Sequence, residues 1–158
     1  MLLRIHRKNL ETNAAGFPPP GFDTLNEVIP LTEDSETLEL LFQFMYPKRH
    51  PDLETAAIET LAPLAEAAEK YEVFSALNMC KVRMKYVANY FPRPCADKSN
   101  RNALPQHPYE VMVYAAKHGY SKMVGEAAPL LLDTPLNEMI QKLPEHMAMP
   151  WVRSLFRF

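Results

Sequence analysis

The sequence predicts a mostly helical α+β domain, and three observations carry that reading. Apolar residues recur at helical spacing over 35–45, 64–84 and 108–132. Two short runs, LLRI at 2–5 and EVIPL at 27–31, are apolar or β-branched and read as strands. Fifteen prolines stand against four glycines in 158 residues. That is about twice the usual proline share of roughly 5% and under half the usual glycine share of roughly 7%.

Each element follows from its own residues. Residues 8–17 are polar around Leu10 and Phe17, a short helix ended by Gly16. Asp34 or Ser35 caps the next helix, whose Leu38, Leu41, Phe42 and Met45 repeat at i, i+3, i+4, i+7. Leu40 and Phe44 widen that face, so two sides are expected to be buried. The helix stops at Tyr46, because Pro47 pushes its predecessor out of the α region. Residues 53–61 could open as helix, but Pro63 suits the first turn of a new one. Leu64, Ala65, Ala67, Ala68 and Tyr71 then form a small-residue packing face, with Glu66 and Lys70 paired at i, i+4 on the wet side. Phe74, Leu77, Met79, Cys80, Val82 and Met84 continue as the second arm of a tight hairpin.

After a break at 86–105, residues 108–118 and 121–132 predict a second helical pair, hinged at Gly119. A further helix is expected over 136–143, capped by Asp133 or Thr134. The tail 147–158 carries Trp151, Leu155, Phe156 and Phe158, which need a partner surface.

Composition excludes several functions. Lys and Arg total 17 against 19 Asp and Glu, a net charge of −2, which argues against a broadly cationic nucleic-acid or membrane binder. Gly16 and Gly21 have the interval of a phosphate loop, but Phe22 and Asp23 follow where Lys and Ser or Thr are needed. Pro18, Pro19 and Pro20 also remove three of the N–H groups that would hold phosphate. No apolar run reaches the roughly 18–20 residues of a membrane span, and no signal-peptide core precedes Arg4. Cys80 and Cys95 form no CxxC pair and suit a reducing compartment, cytoplasmic or nuclear.

Reactive groups have plainer readings. Gly119 and Ser121 begin a nucleophile elbow, but Met123 stands where its second glycine belongs, so Ser121 reads as a helix N-cap. Glu145 and His146 do not complete HExxH. Cys80, among apolar helical residues, reads as core. Glu33, Asp34, Glu66, Glu69 and Glu72 read as cap and solvated-face charges. No catalytic residue, metal site or cofactor is expected.

Four stretches in order carry a family resemblance: HRKNL at 6–10, VIPL at 28–31, LFQFMY at 41–46 and LAEAAEKY at 64–71. The chain resembles a BTB/POZ domain of the fungal type with a helical C-terminal extension. His6 and Leu10 match the family's entry to its first helix; Leu41, Phe44 and Tyr46 match its "LLxFxY" helix end; residues 67–71 match "AAxKY". The resemblance implies a core over 1–85 with a small β-sheet, and an extension over 102–158. The family core starts with a strand and loop ahead of residues 2–5, so the expectation is a core lacking its first strand and part of its dimer edge.

The resemblance implies a non-enzymatic protein-interaction module that forms homo- or hetero-oligomers as a scaffold. The alternative it implies is a substrate adaptor for a cullin-based ubiquitin ligase. Tyr46 and Phe74 mark the expected partner interface, and Leu2, Leu3 and Leu10 the expected dimer interface.

Residues 86–101 interrupt the resemblance. They read either as a genuine basic insertion or as a translated intron. Lys85 to Val87 can encode a GTACGT donor, Ala96 and Asp97 a CTGAC branch site, and Asn100 and Arg101 a CAG acceptor. Excision from the third base of codon 85 through the second base of codon 101 keeps the frame and joins Lys85 to Asn102. The basic stretch 81–101, with Tyr86, Tyr90 and Phe91 interleaved, would suit single-stranded nucleic acid. It lacks a helical period and contains Pro92 and Pro94, which disfavours that partner.

Overall fold

The computed structural model describes residues 2–17, 28–88 and 107–132, together with 134, 135, 137 and 141. The chain divides into two compact units, Met1–Arg83 and Met84–Phe158. The expected helix over 136–143 is described only at Asn137 and Gln141, both helical. The aromatic tail, Glu145, His146, Cys95 and the greater part of the 86–101 segment lie outside the described residues.

In the first unit, α1 (Arg7–Asn13), α2 (Ser35–Gln43), α3 (Ile58–Lys70) and the start of α4 (Phe74–Ala88) follow one another, and α2 packs against α3. Leu38, Leu41, Phe44, Met45, Leu61, Leu64, Ala65, Ala68, Val73, Ala76 and Cys80 are buried and form the core. Burying a Leu or Phe side chain contributes about 1.5–3 kcal/mol, so this core, not helix propensity, holds the unit together.

Asp34 caps α2 as its sequence implies. Its carboxylate accepts the Thr37 N–H at 2.8 Å and the Thr37 hydroxyl at 2.7 Å. The helix gives way before Tyr46: the N–H groups of Phe44 and Met45 donate three residues back, to Leu41 and Phe42. This tightening closes the last turn ahead of Pro47.

The α+β expectation is corrected: the regular elements among the described residues are all helices, with no strand and no sheet among them. The 2–5 and 28–31 stretches run without regular structure. A strand is stable only with a ladder partner and a buried face. Leu2, Val28 and Ile29 are 62%, 71% and 53% exposed, and Pro30 has no N–H to donate.

Other boundaries differ for local reasons. Pro63 does not start a helix. α3 begins at Ile58 and carries Pro63 inside it, on its exposed side, where the ring and the missing N–H are tolerated. Residues 53–57 are instead a turn, with Asp52 accepting the Glu54 N–H at 2.8 Å and Leu53 accepting from Ala56 at 3.1 Å. Gly16 does not terminate α1, which ends at Asn13 with Ala14 as its C-cap.

α3 turns into α4 through a Schellman motif. Val73 N–H donates to Ala68 C=O at 2.9 Å and Glu72 N–H to Glu69 C=O at 3.2 Å, with Glu72 left-handed at φ 53°. Val73 and Ala68, the two positions where this turn usually carries apolar residues, are both fully buried.

In the second unit, α5 (Pro108–Lys117) packs against α6 (Ser121–Ala127) and the following 3-10 turn (Ala128–Leu131). Met112, Ala127 and Leu131 are its buried centre, with Tyr109, Val113, Ala116, Val124 and Ala128 packed on them. Pro108 occupies the first turn of α5, where its missing N–H costs nothing. The same Schellman pattern closes α5: Tyr120 N–H donates to Ala115 C=O at 2.7 Å and Gly119 N–H to Ala116 C=O at 3.3 Å. Gly119, at φ 74°, supplies the left-handed residue. Ser121 is the first residue of α6 and Tyr120 its N-cap, so the expected serine cap is displaced by one position. α6 tightens to 3-10 geometry at Ala128 because Pro129 cannot donate to Gly125.

Candidate functional site

Two of the motif-bearing stretches, 6–10 and 41–46, meet in the first unit. Tyr46, just past α2, reaches the segment before α1: its hydroxyl lies 3.0 Å from His6 Nδ1. The two rings meet edge to face, with centroids 5.8 Å apart. Asn13 at the end of α1 donates to Met45 C=O at 3.0 Å, so both ends of α1 are tied to the end of α2. Tyr46 is half-buried by these contacts.

Phe74 opens α4 and is 59% exposed. Its neighbour Ser75 donates through its hydroxyl to Phe44 C=O at 3.2 Å. The start of α4 therefore sits beside the end of α2, which places the backbone of the expected partner residues Tyr46 and Phe74 on adjoining segments. Of the expected dimer residues, Leu2 is exposed, while Leu3 and Leu10 are half-buried.

The end of α3 is fixed by a polar cluster that the charge pattern did not reveal. Glu33 accepts from Lys70 Nζ and, at 2.7 Å, from the Tyr71 hydroxyl, while Lys70 also donates to Thr32 at 2.9 Å. Burial alone would raise the Glu33 carboxyl. The hydrogen bonds from Lys70 and Tyr71 overcome it and lower the carboxyl from 4.5 to about 2. Lys70 is held above its ordinary value chiefly by its hydrogen bond to Glu33. Tyr71 is raised by burial and then by Glu33. Glu33 is thus a structural tie, not the solvated charge its sequence context implies.

Gly16 and Phe17 close the same end of α3. Gly16 N–H donates to Tyr71 C=O at 3.0 Å, and the Phe17 ring stacks on Tyr71 with centroids 4.6 Å apart. A Cβ on Gly16 would lie 2.7 Å from the Lys70 carbonyl oxygen and 2.8 Å from Tyr71 backbone carbon. The glycine answers a close backbone approach that helix punctuation alone could not signal.

Chemically, the described residues offer structural contacts. Cys80 is fully buried, and desolvation pushes its thiol up to about 12, which suits packing and not a thiolate nucleophile. No cluster of three His, Cys, Asp or Glu side chains that could hold a metal occurs among the described residues. None of their helices is long and apolar enough to cross a membrane.

The basic stretch presents no open cationic stripe in its described part. Lys81 Nζ lies 3.9 Å from Glu69, and Arg83 is buried. Arg83 belongs to the basic stretch by sequence, yet it lies on the buried side of α4 with Ala76 and Cys80. The chain matches no family model, no curated protein and no solved structure.

Proposed function

We propose that the chain is a non-enzymatic protein-interaction module of BTB/POZ type, self-associating through its first unit. The resemblance is taken at its helical elements. The observation that carries this reading is the exposure of large apolar side chains on the unit that holds the motif stretches. Leu2, Val28, Ile29, Phe74 and Val82 are each more than half exposed, and surface of that kind marks association sites when it is contiguous. The tie between His6 and Tyr46 supports the family reading, because it joins two stretches on which the resemblance rests. Light scattering across a size-exclusion column tests self-association, with a mass above that of one chain as the expected result.

A second reading, a substrate adaptor for a cullin scaffold, is favoured by Phe74. An aromatic ring exposed at the head of a helix, beside the end of α2, is the kind of anchor that dominates binding energy at interfaces. Immobilised chain should then retain a cullin scaffold, and Phe74→Ala should abolish retention. No retention would leave oligomerisation as the module's function.

A further inference from the structure

We propose that the surface around the His6–Tyr46 tie is a docking site for an acidic protein segment, held by Arg4, Lys8, Lys48 and Arg49. In the first unit Asp and Glu outnumber Lys and Arg, yet the cations are not spread evenly over it. Most lie on two short segments, 4–8 and 48–49, and neither 1–10 nor 40–51 contains an Asp or Glu. The fold brings these segments together. Tyr46 Oη lies 3.0 Å from His6 Nδ1, and Asn13 at the far end of α1 donates to Met45 C=O at 3.0 Å. The chain after Tyr46 turns back at once: Lys48 N–H donates to Tyr46 C=O at 2.8 Å, and the His50 ring rests on Phe44 with centroids 5.2 Å apart. The backbone that carries Lys48 and Arg49 is therefore held beside the one that carries Arg4 and Lys8.

These four side chains are exposed, and none has an ion pair among the described residues. The other lysines and arginines of the unit are paired or buried: Arg7 lies against Glu11, Lys70 against Glu33 and Lys81 against Glu69, and Arg83 is buried. Like charges gathered without a counter-charge repel one another, and an anion laid across them is attracted by all. The surroundings choose the anion. Glu11 follows the first segment on α1, and Asp52 and Glu54 follow the second, all three exposed. A short acidic segment fits between these carboxylates, whereas a long polyanion such as nucleic acid would have to run over them. The aromatic rings at the end of α2 offer no platform for bases either, since Phe44 is buried and Tyr46 is engaged edge to face with His6. This site extends the interaction-module reading without needing self-association, because a chain that stays single can still take the segment.

The test is fluorescence anisotropy, with the full chain titrated into fluorescein-labelled hexaglutamate at low and at physiological salt. Hexaglutamine and an oligothymidylate of equal charge are run alongside. The expected result is saturable binding of hexaglutamate and none of hexaglutamine, with affinity falling as salt is raised. Arg4→Glu, Lys48→Glu and Arg49→Glu should each weaken binding roughly fivefold, the scale of one exposed ion pair. Lys122→Glu makes the same change of charge at an exposed residue of the second unit and should leave the affinity within about twofold. In wild type, the backbone amide signals of Lys48 and Arg49 should shift during the titration, which locates the site without any substitution. Absence of binding to hexaglutamate overturns the proposal, as do equal losses in Arg49→Glu and Lys122→Glu. An oligothymidylate that binds more tightly than hexaglutamate overturns it in favour of nucleic acid. Light scattering on the same samples keeps the two readings apart: a single chain that binds hexaglutamate contradicts self-association and leaves the docking site standing.

Discussion

Gly16 and Glu33 show how much of the first unit rests on single residues at the end of α3. Gly16 is close enough to the Lys70 and Tyr71 backbone that a methyl group has no room. Gly16→Ala should therefore cost about 1–3 kcal/mol, the range of a forced overpacking, measurable as a lowered urea midpoint at unchanged slope. Glu33 makes a different kind of contribution. Its carboxyl lies below its unfolded value, at about 2 against 4.5, so the stability it supplies is complete above about pH 4.5. It is lost as pH falls toward 2. Lys70 is half-exposed, so solvent screens part of the attraction. Glu33→Gln should be less stable than wild type at neutral pH, with the gap closing between pH 4.5 and 2 in acid titrations followed by circular dichroism. A gap that stays constant over that window would contradict the tie.

At the scale of elements, the two helical hairpins use one turn with different residues. α5 and α6 are joined through Gly119, left-handed at φ 74°, as its sequence announces. α3 and α4 are joined through Glu72, left-handed at φ 53°, where a side chain works against the conformation. Glu72→Gly should stabilise the chain by about 0.5–1 kcal/mol, the left-handed penalty less glycine's extra unfolded entropy. Gly119→Ala should destabilise it by about 1–2 kcal/mol, although nothing lies near its added methyl group. Opposite signs in thermal unfolding would establish the common turn; equal signs would deny it.

The same contrast explains what was legible from sequence. α2 and α5 were readable because Asp34, Pro47 and Pro108 carry local instructions for starting and stopping. The start of α3 was hidden because Ala57 makes no side-chain cap and Pro63 resembles a beginning. The expected strands failed because strand formation depends on a partner elsewhere in the chain, which no local run of Val and Ile can supply. Site residues divide in the same way. Tyr46 and Phe74 were named through the family resemblance, from their places at the end of one helix and the start of a hairpin, and not from a local pattern of their own. The Glu33 tie and the Gly16 approach depend on residues distant in sequence.

For the whole molecule, the claim is that exposed apolar side chains on the first unit serve association. Charge does not oppose it, since the net charge is only −2. Neither α4 lysine would dominate a docking surface, as Lys81 is paired and Lys85 half-buried. The most direct measurement is the mass of the full chain by size-exclusion chromatography with light scattering at increasing loading concentration. The account predicts a mass rising above the 18.1 kDa of one chain toward about twice that value, and a return to a single chain in Leu2→Asp, at an exposed residue of the expected dimer interface, with helicity unchanged. A mass of 18.1 kDa at every concentration, with wild type and Leu2→Asp indistinguishable, would contradict it.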